Sequence, residues 1–111
     1  RDNEGMVKEF PPVVLKERIA KESTIKKITT ILEQVVRLGL GKKAGSTSFL
    51  VAGKTGTAEY SMDSSSQNHS WFVGFSNVDN PELVVSVIVE QSDGNTKAVN
   101  VAKSIFDSYY Y

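Results

Sequence analysis

The run Leu83-Val84-Val85-Ser86-Val87-Ile88-Val89 places a single serine among β-branched and aliphatic side chains. It has the length of a strand but not the polar alternation of a strand with one wet face, so it asks for cover on both faces. Two further β-rich strings precede it, Phe49 to Tyr60 and Ser70 to Ser76. The turn residues Asn77, Asp79, Asn80 and Pro81 leave only a short link between the last two strings, which implies an antiparallel pair.

Helical periodicity flanks this region on both sides. From Ser23, an expected N-cap, apolar residues recur at three and four through Ile25, Ile28, Ile31, Leu32, Val35 and Val36, and Gly39 or Gly41 ends the pattern. Burying such side chains gains about 1.5–3 kcal/mol each, whereas fixing each backbone costs about 1–2 kcal/mol, so this helix needs a surface to lie on. After a turn at Asp93, Gly94 and Asn95, a second stripe runs Ala98, Val101, Ala102, Ile105, Phe106 and Tyr109. The expected fold is α+β: an antiparallel sheet of about three strands, an amphipathic helix before it and a C-terminal helix packed on it. The expected segments are an extended arm or hairpin over 1–20, a helix over 23–38, the sheet over 49–90 and a helix over 96–109. Trp71, Phe72 and Phe75 are expected to pack under the sheet.

Composition narrows the function classes. Thirteen basic and thirteen acidic residues give no net charge, which argues against nucleic acid or an anionic membrane surface as partner. No cysteine is present, so disulfides, thiolate metal sites and thiol nucleophiles are absent. His69, the only histidine, has no clustered carboxylates or cysteines around it in sequence, so no metal or cofactor is expected and a hydrogen-bonded strand-end role fits it best. No apolar run approaches the roughly 20 residues needed to span a bilayer. The chain starts at Arg1 without any signal-peptide pattern, and the expectation is a piece of a longer protein or a chain whose start was removed.

Chemistry concentrates in Lys54-Thr55-Gly56-Thr57-Ala58, which sets an ammonium and two hydroxyls around a position without a side chain. Such an edge suits a carboxylate: Lys54 is a compact charge, Thr55 and Thr57 add hydroxyl hydrogen bonds, and Gly56 lets another backbone lie alongside as an added strand. The plainer reading is an exposed edge strand blunted by a charge.

Lys54 to Ala58, then His69-Ser70-Trp71-Phe72-Val73-Gly74-Phe75, then Asn80-Pro81-Glu82 before an apolar strand resemble the C-terminal part of a penicillin-binding protein transpeptidase domain, of class B. The resemblance covers most of the chain from the Ser23 helix onward. It implies a larger β-lactamase/transpeptidase-like fold, in which an all-helical subdomain covers the sheet's other face. It also implies binding of the terminal carboxylate of an acyl-D-alanyl-D-alanine stem peptide, or of a β-lactam, by Lys54, Thr55, Gly56 and Thr57. The backbone N–H of Thr57 would be one of two oxyanion-hole donors. The partners implied are peptidoglycan, β-lactams and the N-terminal part of the same domain, at the extracytoplasmic face of the bacterial membrane, with a membrane anchor outside this chain.

The nucleophile of that family stands in a Ser-x-x-Lys element, with a Ser-x-Asn element after it, both ahead of Lys-Thr-Gly. Ser23-Thr24-Ile25-Lys26 and Ser66-Gln67-Asn68 match formally. The first is explained as a helix start lying too close to Lys54, and the second follows Lys54 in the wrong order, so the nucleophile is expected outside this chain and the chain alone is expected to be inactive. Gly39-Leu40-Gly41 stands where the family usually has Gly-Thr-Gly. The turn before the last helix departs further: the family's glycines and Ala-Ala-Pro are replaced by Asp93-Gly94-Asn95-Thr96-Lys97-Ala98-Val99. Other readings of the same residues are a β-lactam sensor domain, a β-lactamase or D,D-carboxypeptidase fragment, and a non-catalytic structural module. The closing Tyr109-Tyr110-Tyr111 fits either a helix end or a contact surface.

Overall fold

Three strands, β1 (Val51–Glu59), β2 (Asn68–Ser76) and β3 (Leu83–Ser92), form an antiparallel sheet in the order β1-β2-β3. Helix α1 (Glu22–Leu38) and a short 3-10 turn at Lys42–Ala44 precede it, and α2 (Ala98–Tyr110) follows. This computed structural model describes residues 11–46, 48–59, 68–92 and 96–111. Of the arm or hairpin expected over 1–20, residues 1–10 lie outside them. Residues 11–20 are exposed and form neither helix nor strand. The expected α+β arrangement, strands with a helix before and a helix after, is the one observed.

Strand periodicity sorts the side chains onto two faces. The register pairs Val51 with Ser76, Gly53 with Gly74, Thr55 with Phe72 and Thr57 with Ser70; β2 in turn pairs Ser76 with Leu83, Gly74 with Val85, Phe72 with Val87 and Ser70 with Val89. These residues share one face. It is covered by α2, whose Ala98, Val99, Ala102 and Phe106 are buried with Phe72, Val51 and Val85 in the core. The two alanines remove bulk where the helix meets the sheet.

At the centre of this face the Phe72 ring lies over two glycines. A Cβ at Gly53 would stand 2.7 Å from Phe72 Cζ, and one at Gly74 would stand 2.7 Å from Phe72 Cε1 and 2.8 Å from the Ala52 carbonyl oxygen. Only hydrogen fits at either position, and the fully buried ring fills the space the glycines leave.

The tyrosines at the end of α2 tie the helix to the entry of β1. Tyr110 stacks on Phe49 with ring centroids 4.2 Å apart, and its hydroxyl shares a 2.8 Å hydrogen bond with the hydroxyl of buried Ser76. The Tyr111 hydroxyl bonds to Ser48. Tyr110 thus packs as part of the helix end, whereas Tyr109 and Tyr111 are exposed.

Four sequence expectations are corrected. Ser23 is not the N-cap: α1 begins at Glu22, and the Lys21 carbonyl takes the N–H groups of Thr24 at 2.9 Å and Ile25 at 3.1 Å without a side-chain cap. Glu22 in the first turn faces the positive end of the helix instead. The stripe of α1 is only partly covered, because this helix packs mainly on β1 and the 3-10 turn; Val36 is buried, whereas Ile25, Ile28 and Ile31 are exposed. The three aromatics of β2 do not share a face, since a period of two sends Phe72 to the core and Trp71 and Phe75 to the opposite side, where Trp71 is 40% exposed. Finally, β3 is covered on one face only, with Val84 73% and Ile88 42% exposed among the described residues.

Gly74→Ala should destabilise the fold by about 1–3 kcal/mol through overpacking against Phe72 and backbone. Tyr110→Phe should cost about 1–3 kcal/mol by leaving the buried Ser76 hydroxyl without its partner. Denaturant midpoints of the variants check both, and unchanged midpoints would refute the packing described.

Candidate substrate-binding edge

Among the described residues strand β1 has a hydrogen-bonded neighbour on one side only, and it carries Lys54, Thr55, Gly56 and Thr57 in its middle. Its start is buried and its end, from Gly56 to Glu59, is exposed. The chain thus anchors one half of the strand in the core and offers the other half to solvent.

Alternation divides the four residues. Thr55 and Thr57 stand on the α2 face, opposite Phe72 and Ser70; Lys54 and Gly56 stand on the other face, opposite Val73 and Trp71. A Cβ at Gly56 would come 3.3 Å from Trp71 Cβ, so the glycine keeps that side of the strand low next to the half-exposed indole. The Lys54 ammonium does not extend away from the strand. It donates a 2.6 Å hydrogen bond to the Thr55 carbonyl oxygen. In an extended chain the N–H of residue i+2 lies on the same edge as the C=O of residue i, so the Thr57 N–H shares an edge with that carbonyl.

A pocket of about 280 Å³ opens on the α2 side of the exposed half of β1. Thr55, Gly56 and Thr57 form one wall, Ser70 of β2 contributes the floor, and Lys97 and Val99 close it at the start of α2. Ser70 has a second task. Lys97 occupies the N-cap position of α2 and supplies no side-chain cap, and the Ser70 hydroxyl accepts the Ala98 N–H at 3.0 Å across the sheet. Neither Ser70 nor Lys97 stands out in the sequence, but Ser70 is two residues before Phe72 and so inherits its face.

The remaining candidates take structural places. His69 Nδ1 accepts the N–H of Gln91 at 3.1 Å. Gln91 sits at a register shift between β2 and β3 with φ of 48°, a left-handed conformation that turns its amide out of the ladder, and the imidazole receives it. Ser23 and Lys26 lie in the exposed first turn of α1, where Lys26 is paired with Glu22 at 2.7 Å. Ser66 and Gln67 lie outside the described residues, and Asn68 opens β2. No group of three or more metal-ligating side chains is found among the described residues.

The chain matches the penicillin binding protein transpeptidase domain over residues 3–110. It belongs to that family. It is 40% identical over 91 residues to stage V sporulation protein D of Bacillus subtilis, an alignment that takes in 79% of this chain and 14% of that protein. Among solved structures, the transpeptidase domain of the FtsI4 D,D-transpeptidase from Legionella pneumophila superposes with a TM-score of 0.70 at 27% identity, over 82% of this chain and 37% of the other. Penicillin-binding protein 2B from Streptococcus pneumoniae shares the fold at a TM-score of 0.72 and 23% identity, over 94% of this chain and 18% of the other. This transpeptidase-family chain therefore spans about one seventh of the length of the curated relative it matches.

Lys26 is paired with Glu22 on the surface and the first turn of α1 is solvated, so among the described residues the Ser23 hydroxyl is given no buried activating base. Incubation of the 111-residue chain with a fluorescent penicillin should leave its intact mass unchanged. A stoichiometric adduct on Ser23 would put a nucleophile in α1 and contradict this reading.

Proposed function

We propose that this chain forms the carboxylate-binding half of the acyl-transfer site of a peptidoglycan D,D-transpeptidase, whose serine nucleophile lies in a part of the domain outside this sequence. The observation that carries the proposal is the half-exposed edge strand Lys54-Thr55-Gly56-Thr57 beside a polar pocket, in a chain of the transpeptidase family. In this reading an acyl-D-alanyl-D-alanine stem peptide lies along β1 as an added strand, which the one-sided pairing of β1 permits. The Thr55 and Thr57 hydroxyls take up its terminal carboxylate, the Lys54 ammonium swings from the Thr55 carbonyl around the strand edge to the same group, and a β-lactam carboxylate takes the same place.

The Thr57 N–H is assigned as an oxyanion-hole donor. It shares its strand edge with the Thr55 carbonyl, and a rigid main-chain donor on a strand anchored by Phe72 needs no reorganisation as negative charge develops on the attacked carbonyl oxygen. Serine attack forms the acyl–oxygen bond and expels D-alanine; an amine of a neighbouring stem peptide then takes the acyl group and completes the cross-link. The chain by itself supplies binding and polarisation but no nucleophile. Peptidoglycan as substrate places the protein's work at the extracytoplasmic face of the membrane; no helix among the described residues is long and apolar enough to cross a membrane.

In the complete domain, Lys54→Ala should slow acylation by a carboxylate-bearing penicillin roughly 10- to 100-fold, the loss of one charge-assisted hydrogen bond at about 1.5–3 kcal/mol. Time courses of acyl-enzyme formation measure it. An unchanged rate would remove Lys54 from the site.

A further inference from the structure

The two threonine hydroxyls and Lys54 do not face the same space. Thr55 and Thr57 line the pocket on the α2 side of β1, Lys54 is not among its walls, and the Lys54 ammonium rests on the Thr55 carbonyl. The cation that does share the pocket with the hydroxyls is Lys97, which meets them from the first residue before α2.

We propose that Lys97 is a second cation of the carboxylate subsite, pairing with a substrate or β-lactam carboxylate held by the Thr55 and Thr57 hydroxyls inside this pocket. The inference rests on the transpeptidase reading above and adds a specificity-determining residue to it. Three features support it. Among the described residues no carboxylate lies within ion-pair distance of Lys97, whereas Lys26 and Lys103 are engaged with Glu22 and Asp107. Of the pocket's other polar side chains, the Ser70 hydroxyl accepts the Ala98 N–H and the Ser92 hydroxyl donates to the Thr96 carbonyl oxygen, so both are engaged with backbone beside Lys97. Finally, about 280 Å³ is ample for a carboxylate and the small side chain beside it, and Val99 supplies an apolar wall of the kind a D-alanine methyl would meet.

A cation contributed in this way acts on charge, not on the acylation chemistry, so its removal should be felt only by ligands that carry the carboxylate. In the complete domain, Lys97→Ala should raise the half-saturating concentration of a carboxylate-bearing penicillin roughly tenfold with little change in the limiting acylation rate. The rate with the methyl ester of the same penicillin should not change, and Lys97→Arg should restore binding of the free acid. Equal losses for acid and ester would assign Lys97 a structural role in starting α2 and overturn the proposal, as would an unchanged half-saturating concentration of the acid in Lys97→Ala. If the unsubstituted domain formed no adduct with the penicillin at all, the transpeptidase reading itself would fall, a result distinct from either outcome at Lys97.

Discussion

The packing of the Phe72 ring across Gly53 and Gly74 is the contact on which the rest of this chain depends. It needs hydrogen at two cross-strand positions, because a methyl at either would stand within 2.8 Å of ring or backbone atoms. In exchange it gives β1 and β2 a flat, dry patch on which Ala98, Ala102 and Phe106 of α2 can rest. Thr55 is the direct cross-strand partner of Phe72. The residue that anchors the sheet is therefore also the cross-strand partner of the second residue of the Lys54–Thr57 run. Truncating such a ring costs about 3–5 kcal/mol in general, a large share of the 5–15 kcal/mol that holds a domain together. The packing of the sheet and the position of the proposed edge thus meet at one side chain.

The same architecture leaves two apolar surfaces open. On the sheet face away from α2, Trp71, Val73, Val84 and Ile88 are exposed, and Ile25, Ile28 and Ile31 of α1 are exposed as well. A sheet with one helix layer satisfies β3 on one side only, although its sequence asks for two. The matched protein from Bacillus subtilis is about seven times longer than the aligned segment, so most of that protein has no counterpart in these residues. The edge of β1 lies between the finished face and the open one, which is where a site assembled from two parts of a domain would be expected to form.

Strands, their antiparallel order and the two flanking helices were legible because each rests on local periodicity that tertiary context reinforces. The faces of β2 were not read correctly: Trp71, Phe72 and Phe75 look alike in composition, and only the Gly53–Gly74 pairing reveals that Phe72 alone has room to lie flat. Caps were also hidden. Ser23 has the right chemistry for an N-cap but Lys21 holds the position, and the cap of α2 is Ser70, which is remote in sequence and close only after folding. The Lys54–Thr57 run was legible as a half-exposed strand, the place where the proposed carboxylate edge lies. What the sequence could not reveal is that strand alternation sends Lys54 away from the two hydroxyls while α2 brings Lys97 towards them.

A crystal structure of the complete domain acylated by a penicillin tests the central claim most directly. The account predicts the ligand's carboxylate within about 2.7–3.2 Å of the Thr55 and Thr57 hydroxyls, with its carbonyl oxygen at the Thr57 N–H and the acyl bond on a serine outside these 111 residues. A carboxylate bound elsewhere, with the edge of β1 left in water, would contradict it.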